Sequence, residues 1–374
     1  MRVMTVVGTR PEIIKLSRVI AVFDKFSDHT LVHTGQNYDR ELSDVFFEDL
    51  GLRTPDYYLG VGGGTVMEAV AKILTGVEGL IVSEKPQALL LYGDTNSCLA
   101  ALAAKRLKVP VFHMEAGNRC FDDRVPEEIN RRIIDHISDI NFCLTDQARD
   151  YLMQEGIQGQ RIIKTGSHME EVLSFYKEKI CNSNILNKLS LFKGKYYIVS
   201  CHREENVDDP KKLKELADMV EALKEDGKYE VVVSTHPRTR KRLEEAELIV
   251  GASFLAPFGF TDYISLQNEA RCVISDSGTI CEESALLGFP AVTMRDIHER
   301  PEGMDSGNLL MAQLDSKDVL EKVSHALEFV DGGLNPSQVA DYVDQGSVAR
   351  KVFYAVSSYV AYINREVWKR GVEP

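Results

Sequence analysis

The feature that most constrains the fold of this chain is a repeated order of segments. A short apolar run, typical of a β-strand, is followed at once by a polar motif, three times in each half. In an open parallel α/β sheet, ligands bind beyond the carboxyl ends of the strands, where these motifs fall. The order therefore predicts two doubly wound halves that face a shared ligand. The motifs are Gly-Thr-Arg-Pro-Glu (8–12), Gly-Asp-Thr-Asn-Ser (93–97), His-Met-Glu-Ala-Gly-Asn-Arg (113–119), His-Arg-Glu-Glu-Asn (202–206), Thr-His-Pro-Arg (235–238) and Ser-Asp-Ser-Gly-Thr (275–279).

Segments of helical length separate the apolar runs, and this alternation indicates a parallel sheet in each half. Helices are expected to begin near Pro11 and at Pro126, because proline is favoured at the first helical position. Ser347 is placed to cap a C-terminal helix that either packs locally or crosses back onto the first domain. The expected strands are 3–7, 30–33, 88–92, 109–114, 161–164, 196–201, 229–235, 271–275 and 290–294; further helices are expected near 40–50, 96–106, 211–225 and 280–287; the helix from Pro126 has an expected apolar stripe of Ile129, Ile133, Ile134 and Ile137.

Length and composition exclude several classes of protein. A chain of 374 residues is long enough for two or three domains. The formal net charge of −13 argues against a nucleic-acid or anionic-membrane surface. The chain opens into a strand without a signal peptide, and its seven cysteines form no Cys-x-x-Cys pair. We therefore expect a cytoplasmic protein with reduced thiols, no membrane span and, since no ligand cluster has metal spacing, no metal.

Carboxylates are the candidate acid/base groups of the first half. Asp94 and Glu115 both end predicted strands, and facing carboxylates shift each other's pKa, so that one can hold a proton while the other is ionised. The alternative is structural: Asp94 caps a helix, and the pair 127–128 forms helical ion pairs with 131–132. Arg10, at the first strand-to-helix turn, is either a phosphate ligand or an exposed arginine of a plain loop.

The second half carries candidate anion-binding residues. Small hydroxyl residues and a glycine at 275–279 precede a helix whose first turn would offer N–H donors, which suits a phosphate. His202 and His236 end strands close to arginines, and this favours phosphate binding over a purely structural role. The polar loop 298–302 is of the same kind. By contrast, the run 60–65 fails the Gly-x-Gly-x-x-Gly spacing and is interpreted as a surface loop.

These motifs, taken in order, resemble the non-hydrolysing UDP-N-acetylglucosamine 2-epimerase family. The resemblance runs nearly end to end, through Gly-Thr-Arg-Pro-Glu, Gly-Asp-Thr, Glu-Ala-Gly, Pro-Glu-Glu-Ile-Asn-Arg, His-Arg-Glu-Glu-Asn, Thr-His-Pro, Asp-Ser-Gly and Glu-Arg-Pro-Glu. It implies two Rossmann-like domains of GT-B type with the active site in the interdomain cleft. The implied domains are 1–168, joined by a C-terminal helix at 354–374 that packs back on it, and 169–353.

The resemblance also implies a reaction and the residues that perform it. UDP leaves by anti-elimination to give a 2-acetamidoglycal and then adds back, so that C2 is inverted without nicotinamide or metal. The implied partners are a UDP-sugar and a second copy of the chain in a homodimer. The implied catalytic group is Asp94, Glu115, Glu127 and His202; the implied substrate-binding and UDP-binding residues are Arg10, Lys15, His236, Phe258, Ser277, Gly278, Glu283 and Arg300.

Two departures from the UDP-N-acetylglucosamine enzymes bear on the substrate. Those enzymes carry Gln-His-Arg where this chain has Gly-Gln-Asn-Tyr at 35–38, and Gln-Pro-Gly-Gln where it has the run 60–65. Both segments contribute to an allosteric site in that group. The variants resemble the subgroup that forms UDP-N-acetyl-L-fucosamine for capsule or O-antigen synthesis, which is the expected product. The alternatives are epimerisation of UDP-N-acetylglucosamine to UDP-N-acetylmannosamine and, less favoured, a GT-B glycosyltransferase.

Overall fold

The structure is a computed structural model that describes residues 1–35, 47–248, 253–343 and 345–370. It divides into two compact units. The N-terminal unit comprises residues 1–174 and 344–374, and the C-terminal unit comprises residues 175–343. The segment 36–39, and most of the helix expected near 40–50, lie outside the described residues.

The N-terminal unit is built on a seven-stranded parallel sheet with strand order β3-β2-β1-β4-β5-β6-β7. The order reverses between β1 and β4, which places a topological switch point there. Its elements are β1 Arg2–Val7, α1 Arg10–Phe26, β2 Asp28–His33, β3 Tyr57–Tyr58, α2 Val66–Glu84, β4 Ala88–Tyr92, α3 Ala100–Arg106, β5 Val111–Met114, α4 Pro126–Ile137, β6 Ile140–Cys143, α5 Asp146–Gln154, β7 Ile162–Lys164 and the start of α6 His168–Cys181.

The C-terminal unit repeats the plan with a six-stranded parallel sheet, in the order β10-β9-β8-β11-β12-β13. Here the switch point lies between β8 and β11. The prediction of two doubly wound parallel-sheet halves is therefore confirmed. The elements are α7 Ile185–Lys188, β8 Tyr196–Ser200, α8 Glu204–Val207, α9 Pro210–Glu225, β9 Glu230–Ser234, α10 Pro237–Glu245, β10 Phe254–Leu255, α11 Phe260–Glu269, β11 Cys272–Ser275, α12 Ile280–Leu287, β12 Ala291–Met294, α13 Glu302–Asp305, β13 Leu310–Ala312 and α14 Ser316–Asp331.

Helix starts follow local chemistry. Proline occupies the first turn of α1, α4, α9 and α10, where its missing N–H has no helical partner to lose. Thr65 closes a full capping box with Glu68 at the start of α2. The run 60–65 therefore ends in a helix cap, and within it Val61 is fully buried.

The isoleucine stripe expected on α4 is only half buried, because Ile134 and Ile137 pack against the core whereas Ile129 and Ile133 do not. Ile134 is fully buried, but Ile129 is 48% exposed and Ile133 is 37% exposed. The buried face is instead occupied by Glu128, Arg131 and Asp135 together with Ile134. Charged side chains can be buried there because they pair with one another and with neighbouring loops. The spacing of apolar residues along the helix does not show that charged residues occupy much of its buried face.

The C-terminal helix α15 Val348–Glu366 belongs to the N-terminal unit and packs on α1. Ser347 caps it, accepting the Arg350 N–H at 3.2 Å and donating to Glu171 at 2.6 Å. Glu171 also accepts the Ala349 N–H, so one carboxylate of α6 fixes the start of α15. The apolar side of α15 is buried, through Val348, Val352, Val356, Val360 and Ile363.

The seven cysteines are all free thiols, and five of them are buried. Burial raises the pKa of the Cys143 and Cys272 thiols to about 12. Cys181, the last residue of α6, is exposed. None of the helices within the described ranges combines the length and apolar composition that a membrane span requires. Nor do three or more His, Cys, Asp or Glu side chains of those ranges cluster so as to hold a metal ion.

Candidate active site

In the N-terminal unit, the polar motifs meet at the switch point between β1 and β4. The turn after β1 leads into α1, and Glu12 from the first turn of α1 is buried beneath it. Glu12 accepts the Gly8 N–H at 2.5 Å and the Thr95 hydroxyl at 2.6 Å. Its carboxylate therefore joins the turn between β1 and α1, directly before Arg10, to the loop that carries Asp94. Burial raises the pKa of Glu12 to about 7, against the opposing effect of these hydrogen bonds.

Glu115 follows β5 and lies in a polar cluster. Lys15 Nζ, from α1, lies 2.6 Å from the Glu115 carboxylate, and Lys15 itself is buried. The Tyr92 hydroxyl donates to the same carboxylate oxygen and lies 3.4 Å from His168 Nδ1. Glu115 has a φ of 64°, a left-handed backbone conformation that is uncommon for residues other than glycine. Strained residues of this kind cluster at functional sites.

Asp94 follows β4, the strand that pairs with β5, and its partner is an arginine. The Arg131 guanidinium, buried on α4, binds it through Nε at 2.9 Å and through a terminal nitrogen at 2.5 Å. The third guanidinium nitrogen donates to Glu128 at 2.6 Å. Burial raises the pKa of Glu128, but the Cys120 N–H and the charge of Arg131 outweigh that and hold it below its usual range. Arg131 therefore lies between two carboxylates.

The helix expected to be capped by Asp94 is capped by Thr95 instead, because the Thr95 hydroxyl accepts the Ser97 N–H. The ion pairs expected for the pair 127–128 are made by Glu128, with Arg131 and Arg132. Glu127 lies half-buried in the same first turn of α4. The structure thus gives Glu128 a structural role.

In the C-terminal unit, Asp276 organises the turn after β8. Its carboxylate, fully buried after β11, accepts the backbone N–H groups of His202 and Arg203 at 3.0 Å and the Asn206 side chain at 3.1 Å. The His202 ring nitrogen Nδ1 lies 3.1 Å from it, while that side chain is 45% exposed. Burial opposes ionisation of Asp276, but the charge and hydrogen bonds of His202 and its neighbours hold the pKa well below its usual range. These hydrogen bonds hold the backbone that carries His202 in a fixed position.

The loop 275–279 is hydrogen-bonded through its hydroxyls. Ser277 Oγ lies 2.9 Å from Thr279 Oγ1 and accepts the Thr279 N–H at 3.3 Å, so part of the expected N–H cradle already has a partner. A Cβ on Gly278 would stand 3.4 Å from the Arg295 guanidinium and 4.0 Å from that of Arg203. Gly278 therefore lies beside two cations, both of which reach the Glu299 carboxylate.

His236 caps α10. Its Nδ1 accepts the Arg238 N–H at 3.2 Å, so a neutral ring carries its proton on Nε2. His236 thus contacts the backbone of Arg238 at a helix N-terminus, where backbone N–H groups favour anions, and its role in phosphate binding stays a prediction. The Arg238 guanidinium itself pairs with Asp208.

Three further predicted site residues of the C-terminal unit are wholly or partly buried, namely Glu283, Arg300 and Phe258. Glu283 is nearly buried on α12 and accepts from the Gln267 side chain at 2.7 Å. Arg300 is buried and binds Glu282 at 2.9 Å, so the paired glutamates of α12 have separate partners. Phe258 is half-buried against the core that lies between the sheet and α7 and α11.

Two well-placed groups, Arg295 and Tyr92, are absent from the predicted site residues, although the prediction used the rule that ligand residues follow strands. Arg295 comes directly after β12, so the same rule would have identified it. Tyr92 is the last residue of β4 and was counted only as part of an apolar strand. Together with the predicted residues, these groups give one unit a set of charged acid/base groups and the other a cationic loop region. The groups of the N-terminal unit suit proton transfer, and the arginine-bearing loops of the C-terminal unit suit an anion such as a phosphate.

Comparison with known proteins agrees with this geometry. The family model described as UDP-N-acetylglucosamine 2-epimerase matches residues 23–356. The structure of UDP-N-acetylglucosamine 2-epimerase from Rickettsia bellii is 49% identical, with a TM-score of 0.90 over 99% of this chain and 100% of that one. The Methanocaldococcus jannaschii enzyme, solved with UDP-GlcNAc and UDP, is 32% identical, with a TM-score of 0.87 over 95% and 100%. UDP-2,3-diacetamido-2,3-dideoxy-D-glucuronate 2-epimerase of Pseudomonas aeruginosa is 36% identical over 92% of this chain and 99% of its own.

Proposed function

The chain belongs to the UDP-N-acetylglucosamine 2-epimerase family and is a UDP-sugar 2-epimerase, and on that premise we propose the route by which it inverts C2 of a UDP-N-acetylhexosamine. A base removes the C2 proton while the C1–oxygen bond to UDP breaks, which leaves a 2-acetamidoglycal with a C1=C2 double bond. UDP then adds back to C1, and a proton is delivered to the opposite face of C2. Neither the elimination nor the addition oxidises or reduces the substrate, so these two steps need no nicotinamide.

The observation that carries this proposal is a pair of carboxylates with unlike partners at the ends of adjacent strands. Asp94 is bound by the Arg131 guanidinium, whereas Glu115 is bound by the Lys15 ammonium and the Tyr92 hydroxyl. Each carboxylate is held by its own cation at the end of its own strand, which positions two separate groups for acid and base catalysis at one carbon. Glu127 and His202 complete the proposed catalytic group.

The C-terminal unit supplies the proposed nucleotide site. Ser277 and Gly278 are assigned to the diphosphate, with Arg203 and Arg295 beside them as the source of positive charge. Glu283 is assigned to the ribose hydroxyls, and His236 to the diphosphate through its Nε2–H. Such charges stabilise UDP as it departs. Arg10, Lys15, Phe258 and Arg300 are assigned to the remaining substrate contacts.

The finer proposal is that the substrate is UDP-2-acetamido-2,6-dideoxy-L-talose and the product UDP-N-acetyl-L-fucosamine. It is supported by the departures at 35–38 and 60–65 from the motifs of the UDP-N-acetylglucosamine enzymes. The named relatives act on UDP-N-acetylglucosamine or on a diacetamido-glucuronate, so both serve as comparison substrates.

Proton NMR in D2O tests the reaction and the substrate together. The purified protein is incubated separately with the talose sugar, with UDP-N-acetylglucosamine and with the diacetamido-glucuronate. Deuterium at C2 and a new epimer in the talose tube alone supports the L-fucosamine product. If deuterium and a new epimer are found with only one of the other two sugars, that sugar is the substrate. The proposed talose substrate is then wrong, while the epimerase proposal stands. A lack of exchange in all three would contradict the elimination route.

Substitution of the paired carboxylates tests their roles. Asp94→Asn and Glu115→Gln keep the shape of each side chain but remove the proton-transfer group. We expect each to lower kcat by at least about 10²-fold, the usual scale for a lost acid or base. Calorimetric binding of UDP should persist in both variants, because the proposed diphosphate residues lie in the C-terminal unit. Turnover near that of the unaltered chain in both variants would refute the assignment.

A further inference from the structure

A histidine within the Glu-Ala-Gly motif region has no role in the proposed chemistry, yet it is fully buried. His113 lies on β5, paired in register with Leu91 of β4. Its Nδ1 lies 2.9 Å from an Asp135 carboxylate oxygen, and its Nε2 lies 2.8 Å from the Gly93 carbonyl oxygen. Both ring nitrogens are therefore hydrogen-bonded inside the unit.

The two partners define the charge of the ring. A carbonyl oxygen only accepts hydrogen bonds, and an ionised carboxylate also only accepts. Asp135 is ionised, because it also accepts from the Arg119 guanidinium at 2.7 Å and from the Gly117 N–H at 3.1 Å. Burial opposes that ionisation, but His113 and Arg119 hold the pKa of Asp135 below its usual range. Both ring nitrogens of His113 must then donate, which makes the ring an imidazolium.

The charges around the ring balance. Arg119 is fully buried and binds Glu155 as well as Asp135, with two nitrogens 2.6 to 2.7 Å from the Glu155 oxygens. The network therefore contains two cations, His113 and Arg119, and two anions, Asp135 and Glu155. A neutral His113 would leave the fully buried Asp135 to share the single charge of Arg119 with the partly exposed Glu155, and incomplete compensation of a buried carboxylate is costly.

Each hydrogen bond of the ring holds a turn that carries a proposed acid/base residue. Gly93 directly precedes Asp94, and its carbonyl is fixed by Nε2–H. Asp135, bound through Nδ1–H, fixes the N–H of Gly117, two residues after the strained Glu115. Gly117 has a φ of 86°, and a Cβ there would stand 2.4 Å from the Ala148 carbonyl oxygen, so this turn tolerates only glycine.

We propose that His113, as a buried imidazolium, is a positioning residue that holds the Asp94 and Glu115 turns in one relative placement. This rests on the proposed function, because it takes Asp94 and Glu115 as the acid/base pair. The residue touches neither substrate nor reacting atoms. Its loss acts on the chemical step, since a displacement of about 1 Å in a catalytic group costs about 10²-fold in rate.

The kinetic experiment compares two identical substitutions. His113→Gln removes the charge and the paired donation within the network. His136→Gln makes the same change at an exposed histidine that lies 3.8 Å from Glu155, on the outer edge of the same network. We expect His113→Gln to lower kcat about 10²-fold while KM and the UDP dissociation constant change less than about twofold. His136→Gln should leave all three unchanged. Unaltered kcat in a folded His113→Gln variant would overturn the proposal.

Nitrogen NMR of the full chain tests the charge of the His113 ring independently of the kinetics. With ¹⁵N-labelled histidine at pH 7, His113 should show protons on both ring nitrogens. Asp135→Asn, which removes the anion and keeps its shape, should convert the ring to a singly protonated form. A singly protonated His113 in the unaltered chain would overturn the proposal even if His113→Gln failed to fold.

The outcomes separate this inference from the function on which it rests. If Asp94→Asn and Glu115→Gln lose turnover while His113→Gln retains it, the positioning role fails and the epimerase assignment stands. If all three variants retain turnover, the acid/base assignment fails as well.

Discussion

Glu12 is a buried carboxyl whose protonation changes near neutral pH. Its ordinary pKa of 4.5 applies to the unfolded chain, whereas burial raises the pKa of the folded group to about 7. Between these two values the folded chain holds a proton that the unfolded chain has released. Stability contributed by this group therefore falls as the pH rises from about 4.5 to 7 and stays low above that. The total loss is about 3 kcal/mol, at about 1.4 kcal/mol for each pKa unit.

Glu12→Gln should remove this pH dependence. The amide keeps the shape of the side chain, accepts from Gly8 and donates to the Thr95 hydroxyl, and has no charge to bury. We compare the thermal unfolding midpoint of the variant with that of the unaltered chain at each pH. The midpoint of the variant minus that of the unaltered chain should be larger at pH 8 than at pH 5. The measurement is a pair of calorimetric scans at each pH, with Glu78→Gln on the exposed side of α2 as a control. Parallel pH curves for the Glu12 variant and the unaltered chain would show that Glu12 does not titrate in this range.

Residue-level expectations succeeded where a strand end dictates position. Asp94, Glu115, His202 and His236 all follow strands of the observed sheets, as the alternation of apolar runs and motifs predicted. The hydrogen-bond and ion-pair partners of these residues were harder to predict from the sequence. Arg131 binds Asp94 from a helix whose buried face is largely charged, and a pattern that counts apolar spacing also selects Ile129 and Ile133, which are exposed. Long-range ion pairs of this kind leave no periodic trace in a sequence.

At the scale of elements, the strands missed by the sequence are the short or atypical ones. β3 and β10 have two residues each and β13 has three, too few for an alternating or continuous apolar pattern. β6 contains Asn141, whose side chain donates to the Asp135 carbonyl, and it begins three residues after α4 ends. Without a turn signal between them, the helix and strand merge into one apolar stretch.

The Ser347 hydroxyl is expected to stabilise the start of α15 in addition to the Glu171 carboxylate. Ser347→Ala removes the acceptor for the Arg350 N–H and the donor to Glu171, and losing such a cap costs about 1 kcal/mol. We expect amide hydrogen exchange in the first turn of α15 to accelerate about fivefold. Ser358→Ala is the matched control, because that hydroxyl donates to the Tyr354 carbonyl on an exposed part of the same helix. Equal exchange rates in the two variants would exclude a capping role.

At the scale of the whole molecule, the N-terminal unit exposes apolar side chains on neighbouring helices. Val66 and Met67 of α2 are 61% and 71% exposed, and α3 lies between α2 and α4 with Leu102 38% exposed. Ile129 and Ile133 of α4 add to this surface because charged residues occupy the buried side of that helix. The helices that carry these side chains contact one another in the order α2, α3 and α4, and a contiguous apolar surface across them would be typical of an interaction site. We propose that this surface pairs two copies of the chain as a homodimer.

A double substitution tests that surface. Met67→Glu with Ile133→Glu places two charges on it, and we expect the mass measured by light scattering to fall from that of a dimer to that of a monomer. Phe329→Glu changes an exposed apolar residue of the C-terminal unit and should leave the dimer intact. A monomeric mass for the unaltered chain would dismiss this surface as a dimer contact.

The passage of α6 from one unit into the other has a practical consequence. Five of the seven thiols are buried and Cys120 is half-buried, so a maleimide dye should react first at Cys181. That cysteine lies at the end of α6, seven residues beyond the point where the N-terminal unit ends at Ser174. The natural sequence therefore carries its own attachment point for a fluorophore near the junction of the units. Titration of nucleotide against the labelled chain would report ligand-linked changes at that junction without any engineered cysteine.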